Sequence, residues 1–99
     1  MSRKNTKLKI LKAALALAES KGLRNATREE IAKRAGVGDR VVSYHFGTIP
    51  QLWEEVVLHA CAAPEQHLKI IAQALVLGDP RAKMLDSSIK SLAMNEVAA

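Results

Sequence analysis

Apolar residues recur at every third or fourth position through most of this chain, and glycine or proline cuts the pattern into short pieces. That periodicity dictates helices. Leu8, Leu11, Leu15 and Ala18 make one stripe, widened by Ile10, Ala14 and Leu17, with Lys7, Lys9, Lys12 and Glu19 on the other side. A helix over roughly residues 5–21 follows, stopped by Gly22, with Lys21 suited to the negative end of its dipole. Thr27-Arg28-Glu29-Glu30 then has the form of a capping box: the Thr oxygen accepts a backbone N–H and the Glu reaches back. The helix it opens buries Ile31, Ala32 and Ala35 and ends at Gly36. Asp39 to Phe46 forms the next, with Val42 and Phe46 four apart on one face. Gly47 breaks it, Thr48 caps a fourth helix over about 49–62, and Pro50 sits early in it. That helix carries Leu52, Trp53, Val56, Val57 and Ala60 until Pro64 interrupts it. A fifth holds Leu68, Ile71, Ala72 and Leu75 and closes at Gly78-Asp79-Pro80. The last runs from Arg81 to about Val97 with Met84, Leu85, Ile89, Leu92 and Ala93. No stretch alternates with period two, so the expected class is all-α.

Ninety-nine residues, 48% of them hydrophobic and 25% charged, suit a small globular fold. A chain this short buries roughly 60–68% of its unfolded surface, so its core is thin and a partner subunit would strengthen it. Large barrels and dinucleotide-binding sheets do not fit. Cys61 is the one cysteine, which excludes an internal disulfide and points to a reducing compartment. The N-terminus begins basic and turns apolar, as a signal peptide does. Lys9, Lys12 and Glu19-Ser20-Lys21 interrupt it without a cleavage site, which describes an amphipathic helix instead. No apolar run approaches the ~20 residues of a membrane span. A soluble, cytoplasmic protein with no membrane partner is expected.

Charge is distributed unevenly. Residues 1–50 hold eleven Lys/Arg against four Asp/Glu, a net of +7, whereas residues 51–99 hold four against six, a net of −2. One half is built to approach a polyanion. The bland alternative is a solvated basic face that keeps a small protein soluble.

Within the basic half, Thr27 to Phe46 reads as a short helix, a turn over Ala35-Gly36-Val37-Gly38, and a second short helix. This is the spacing of a helix-turn-helix, whose first helix braces on the phosphate backbone while the second enters the major groove. Ala35 is small where the helices cross, Gly36 can turn left-handed, Val37 plugs the turn, and Ile31 and Val42 would meet across it. Arg40 is the candidate base reader, since a guanidinium matches guanine's two major-groove acceptors; a phosphate contact or a solvated Arg is the competing reading. Asp39 could accept from cytosine, or only stabilise the helix start. Val41 offers methyl surface to thymine, with core packing as its alternative. Ser43 and Tyr44 are phosphate or base-edge candidates. His45 can reach phosphate but is more often structural. Thr27, Arg28 and Thr48 stand at helix starts, where backbone N–H groups and side chains bind phosphate together.

T-x-x-x-I-A-x-x-A-G-V from Thr27, followed by Tyr44-His45-Phe46 and Leu52, resembles the N-terminal DNA-binding domain of TetR-type (tetracycline-repressor-like) regulators. The first helix, from Ile10-Leu11-Lys12-Ala13-Ala14 to Lys21-Gly22-Leu23, is similar to theirs, so the resemblance covers about residues 5–60. It implies a dimeric transcription factor, usually a repressor, on palindromic DNA. Against the family pattern, Ser43 replaces a usual tyrosine, Ile49 a usual lysine, and Gly38 a usual Ser/Thr-like cap. Asp39 sets a negative charge where the helix meets DNA. These departures imply fewer phosphate contacts, offset by a basic arm of Arg3, Lys4 and Lys7. The family follows this domain with a ligand-binding region of about another hundred residues, and against that pattern an unusually short C-terminal region, Pro64 to Ala99, is expected here. Two helices hardly enclose a pocket of ~300–1,000 Å³, which argues against a small-molecule inducer.

His59, Cys61, Glu65 and His67 lie close in sequence but match no metal-binding spacing. No nucleophile–base pair or phosphate-cradling loop is visible, so neither catalytic residues, a metal nor a cofactor is expected. The expected architecture is a three-helix helix-turn-helix bundle with a fourth linking helix and two short C-terminal helices. Residues 1–63 form the DNA-binding domain, with Thr27, Arg28, Gly38, Asp39, Arg40, Val41, Ser43, Tyr44, His45 and Thr48 on double-stranded DNA. Residues 64–99 form a dimerisation region that exposes Leu68, Ile71, Leu75, Leu85, Ile89 and Leu92 until a second copy covers them. The competing reading is a protein-interaction module, an antirepressor or adaptor, built on a helix-turn-helix relic. An enzyme is a distant third.

Overall fold

A computed structural model describes residues 3–98 of the chain, with side chains from Asn5 to Glu96. Arg3 and Lys4 of the expected basic arm therefore lie outside the described side chains. Seven α-helices follow one another among the described residues: α1 (Arg3–Lys21), α2 (Arg28–Ala35), α3 (Asp39–Phe46), α4 (Ile49–Ala62), α5 (Leu68–Val76), α6 (Pro80–Lys83) and α7 (Ser87–Ala98). A 3₁₀ turn over Pro64–Gln66 joins α4 to α5, and no strand occurs among the described residues. None of the helices is long and apolar enough to cross a membrane.

The chain divides into two compact units, one ending at Val56 and the other starting at Val57, so the division falls inside α4. In the first unit α1 packs on both α2 and α3, and α2 packs on α3. Ile10, Ala14 and Ala18 of α1 are fully buried, as are Ile31 of α2, Leu52 and Val56 of α4 and, almost fully, Val42 of α3. Helix α2 runs back along α1. Lys21, the last residue of α1, bonds Glu30 in the first turn of α2, while Lys12 and Ala16 share a cleft with Arg34 and Ala35 at the end of α2.

The helix ends follow from local chemistry. Asn25 donates its side-chain amide to the Lys21 carbonyl at 2.9 Å, satisfying one of the acceptors that α1 leaves open. At the end of α2, Gly36 turns left-handed with φ +74°. Its N–H bonds the Lys33 carbonyl and that of Val37 bonds the Ala32 carbonyl, the two bonds of a Schellman motif. The same device ends α5. Gly78 has φ +79°, its N–H bonds the Leu75 carbonyl, and the Asp79 N–H bonds the Ala74 carbonyl.

In the second unit α5 packs on both α6 and α7, with Ile70, Ile71, Ala72, Ala74, Ala82 and Ala93 fully buried. Asp79 is the buried carboxylate here. It caps α6 by accepting the Arg81 N–H at 2.9 Å, and the Arg81 guanidinium lies 3.7 Å from its other oxygen. Burial raises the pKa of the half-buried Cys61 thiol, the Asp79 carboxylate adds to the rise, and Arg81 opposes it.

Two expectations for this unit are corrected. The last segment is broken rather than continuous: α6 ends at Lys83, and α7 starts at Ser87. Asp86, Ser87 and Ser88 are poor interior helix formers whose side chains compete for backbone groups, so a helix start suits them better than a helix middle. Ile71 was expected to stand exposed for a partner, yet it is fully buried. Helix α5 is apolar on several sides and packs on α6 and α7, and Ile70, Ile71, Ala72 and Ala74 are the positions it buries. Leu68, Leu75, Leu85 and Ile89 are half-buried, and Leu92 is half-exposed.

Candidate nucleic-acid interface

The turn that sets α3 against α2 is built from both sides. Thr27 caps α2, accepting the Glu30 N–H on its hydroxyl at 3.1 Å, while the Glu30 carboxylate accepts the Thr27 N–H at 3.1 Å. Both arms of the expected capping box are present. The Lys21 ammonium, and after it the Thr27 backbone N–H, holds the Glu30 carboxyl below its ordinary pKa of 4.5. Beyond the Gly36 turn, Gly38 starts α3 in an extended conformation with no side-chain cap. Val42 and Phe46 then point inward and are buried.

That packing decides which side of α3 faces out. Asp39, Arg40 and Tyr44 are exposed, Tyr44 by 65%, while Val41, Ser43 and His45 are half-buried. Arg40 and Tyr44, four residues apart, share one face. The Tyr44 and His45 rings meet edge to face at 5.1 Å between centroids. Thr27, Gly38 and Thr48 are exposed, and Arg28 is half-buried. The Arg28 Nε is buried and has no hydrogen-bond acceptor among the described residues.

Three contributions went unread in the sequence. Gln51 completes a second capping box: its N–H donates to the Thr48 hydroxyl at 3.3 Å, and its side-chain oxygen accepts the Thr48 N–H at 2.8 Å. The signal was present, since Thr48-Ile49-Pro50-Gln51 has the same T-x-x-E/Q form as the first box. Gly47 has φ +74° and ψ −119°, a conformation that favours glycine, and a Cβ there would push the Gln51 side-chain oxygen out of its place in the box. Lys7 places its ammonium over the Phe46 ring, 5.3 Å from the centroid. This cation–π contact ties the one described member of the basic arm to the end of α3, and no sequence spacing reveals it. Among the described residues no group of three or more His, Cys, Asp or Glu could hold a metal. The His59 and His67 rings do approach to 5.6 Å between centroids.

Two short helices joined by a left-handed glycine turn, the second anchored inside by Val42 and Phe46 and presenting Arg40 and Tyr44, make this a helix-turn-helix protein. Residues 10–56 match the family described as bacterial regulatory proteins, tetR family. That match gives the chain a TetR-type helix-turn-helix domain. Its relatives include the HTH-type transcriptional regulator BetI of Yersinia pestis (strain Pestoides F) and that of Yersinia pseudotuberculosis serotype O:1b (strain IP 31758). Each is 32% identical over 97 residues, covering 86% of this chain and 47% of the relative. The chain thus spans about half the length of the curated relatives it matches. No solved structure matches it.

Proposed function

We propose that this protein is a sequence-specific DNA-binding transcriptional regulator, a repressor that binds an inverted repeat as a homodimer in the cytoplasm. The observation that carries the reading is the outward face of α3, where Arg40 and Tyr44 stand exposed on a helix whose opposite side is locked into the core. Thr27 and Thr48 flank it at two capped helix starts, where backbone N–H groups favour phosphate.

Arg40 is the residue assigned to base reading, and Arg28, Tyr44 and Thr48 to phosphate. Arg40→Ala should then cost ~1–3 kcal/mol and relax preference at one base position. Selecting bound sequences from a random DNA pool, before and after the substitution, tests this. An enriched inverted repeat that loses information at one symmetric position supports the assignment. A uniform loss on all sequences makes Arg40 a phosphate clamp. No binding even at low salt would sink the DNA reading and favour the protein-interaction module, since phosphate contacts strengthen as salt falls.

A further inference from the structure

On the flank of α1 where α2 ends, Lys9, Lys12 and Arg34 stand around an open cleft of about 350 Å³. The rest of its lining is Ala13, Ala16 and Ala35. Lys9, Lys12, Ala13 and Ala16 follow the i, i+3, i+4, i+7 pattern of a single helix face, and Arg34 and Ala35 come from the last turn of α2. The alanines keep the floor low, so three cationic side chains rise around a recess of methyl groups. None of the described residues that line it is a carboxylate. Glu30, in the first turn of α2, is engaged by Lys21 at the other end of the helix pair.

None of these residues belongs to α3 or to the capped starts of α2 and α4, so the cleft is not accounted for by the recognition surface. Two flexible point charges and one planar fork suit a group with several anionic oxygens, which a single monovalent ion could not use fully. We propose that this cleft binds a small phosphorylated molecule carrying at least two phosphate charges, independently of the DNA surface. The ligand would bridge α1 to the end of α2, directly before the Gly36 turn.

Pyrophosphate is the probe. The full chain is titrated with it at constant ionic strength, balanced with sodium chloride, while backbone amide resonances are followed. Saturable shifts at Ala13, Ala16 and Ala35 are expected, with those of Arg40 and Tyr44 unmoved. Both Lys12 and Arg34 are exposed, so the double variant Lys12→Ala/Arg34→Ala should keep the native melting curve while binding about tenfold or more weakly. The charge-preserving Lys12→Arg/Arg34→Lys should retain most of the binding. Shifts that never saturate, or that persist in the alanine double variant, would overturn the proposal. So would a duplex of unrelated sequence that shifts the same three amides and displaces pyrophosphate, because the cleft would then be part of the DNA footprint.

Discussion

Two glycines that bracket α3 look alike in sequence and differ in kind. Gly38 has φ −81° and open space where a Cβ would sit, so nothing in the backbone demands glycine there. Gly38→Ser should cap α3 and restrict the unfolded chain, stabilising the protein by about 0.5–1 kcal/mol. Gly47→Ala, by contrast, forces a left-handed φ on a Cβ that strikes Gln51 and should destabilise by about 1–3 kcal/mol. Chemical denaturation of the two variants checks both signs at once. Equal effects would mean that the turn relaxes around either residue. Glu30 offers a second test at this scale. Its carboxyl is depressed by Lys21 and Thr27, so the stability it adds is present above its unfolded pKa and is lost as pH falls through the folded value. Stability measured from pH 7 down to pH 3 should therefore fall less steeply in Glu30→Gln. An unchanged slope would show that this exposed pair contributes nothing measurable, as many surface pairs do.

At the scale of elements, the caps fix where the helices start. Thr27→Ala should cost about 1 kcal/mol, because it opens the box at the start of α2. Thermal unfolding of that variant, beside Thr48→Ala, measures whether the two boxes contribute alike. The all-α class, the helix-turn-helix over Thr27 to Phe46 and the start of α4 at Ile49 were legible because each depends on local signals: a glycine, a capping threonine, a 3.6-residue period. Less legible was the side of a helix that is apolar all round. Ile71 went inward and Val76 outward, since that choice is made by tertiary packing on α6 and α7 and not by α5 itself. The break before Ser87 also had a signal, Asp86-Ser87-Ser88, whose polar side chains outweighed the apolar positions on either side. In the candidate site, the exposed face of α3 followed from two buried anchors. The Lys7–Phe46 contact did not, because it joins residues far apart in the chain.

For the molecule as a whole, the exposed apolar residues of the second unit frame the question of assembly. Val76 is 71% exposed and Met84 87%, and Leu58, Leu77, Leu92 and Met94 are each between 42% and 50% exposed. Surface of this kind favours burial against a partner. A dimer mass in light scattering at tens of micromolar is the expected outcome, with Val76→Lys or Leu92→Lys shifting it toward the monomer. Paired recognition helices would then lie one DNA turn apart, ~34–36 Å, or a multiple of it. A monomeric mass throughout that range would remove the dimer from the reading.

The chain holds one tryptophan and one cysteine, and they fall on opposite sides of the division inside α4: Trp53, 3% exposed, in the first unit and Cys61 in the second. Each unit therefore has its own built-in probe. A red shift of indole emission during denaturation reports the opening of the recognition unit. The growing rate at which a thiol reagent modifies Cys61 reports the other, since its raised pKa slows modification while that unit stays folded. Coincident curves would make the 99 residues one cooperative body, and separated curves would give each unit a stability of its own.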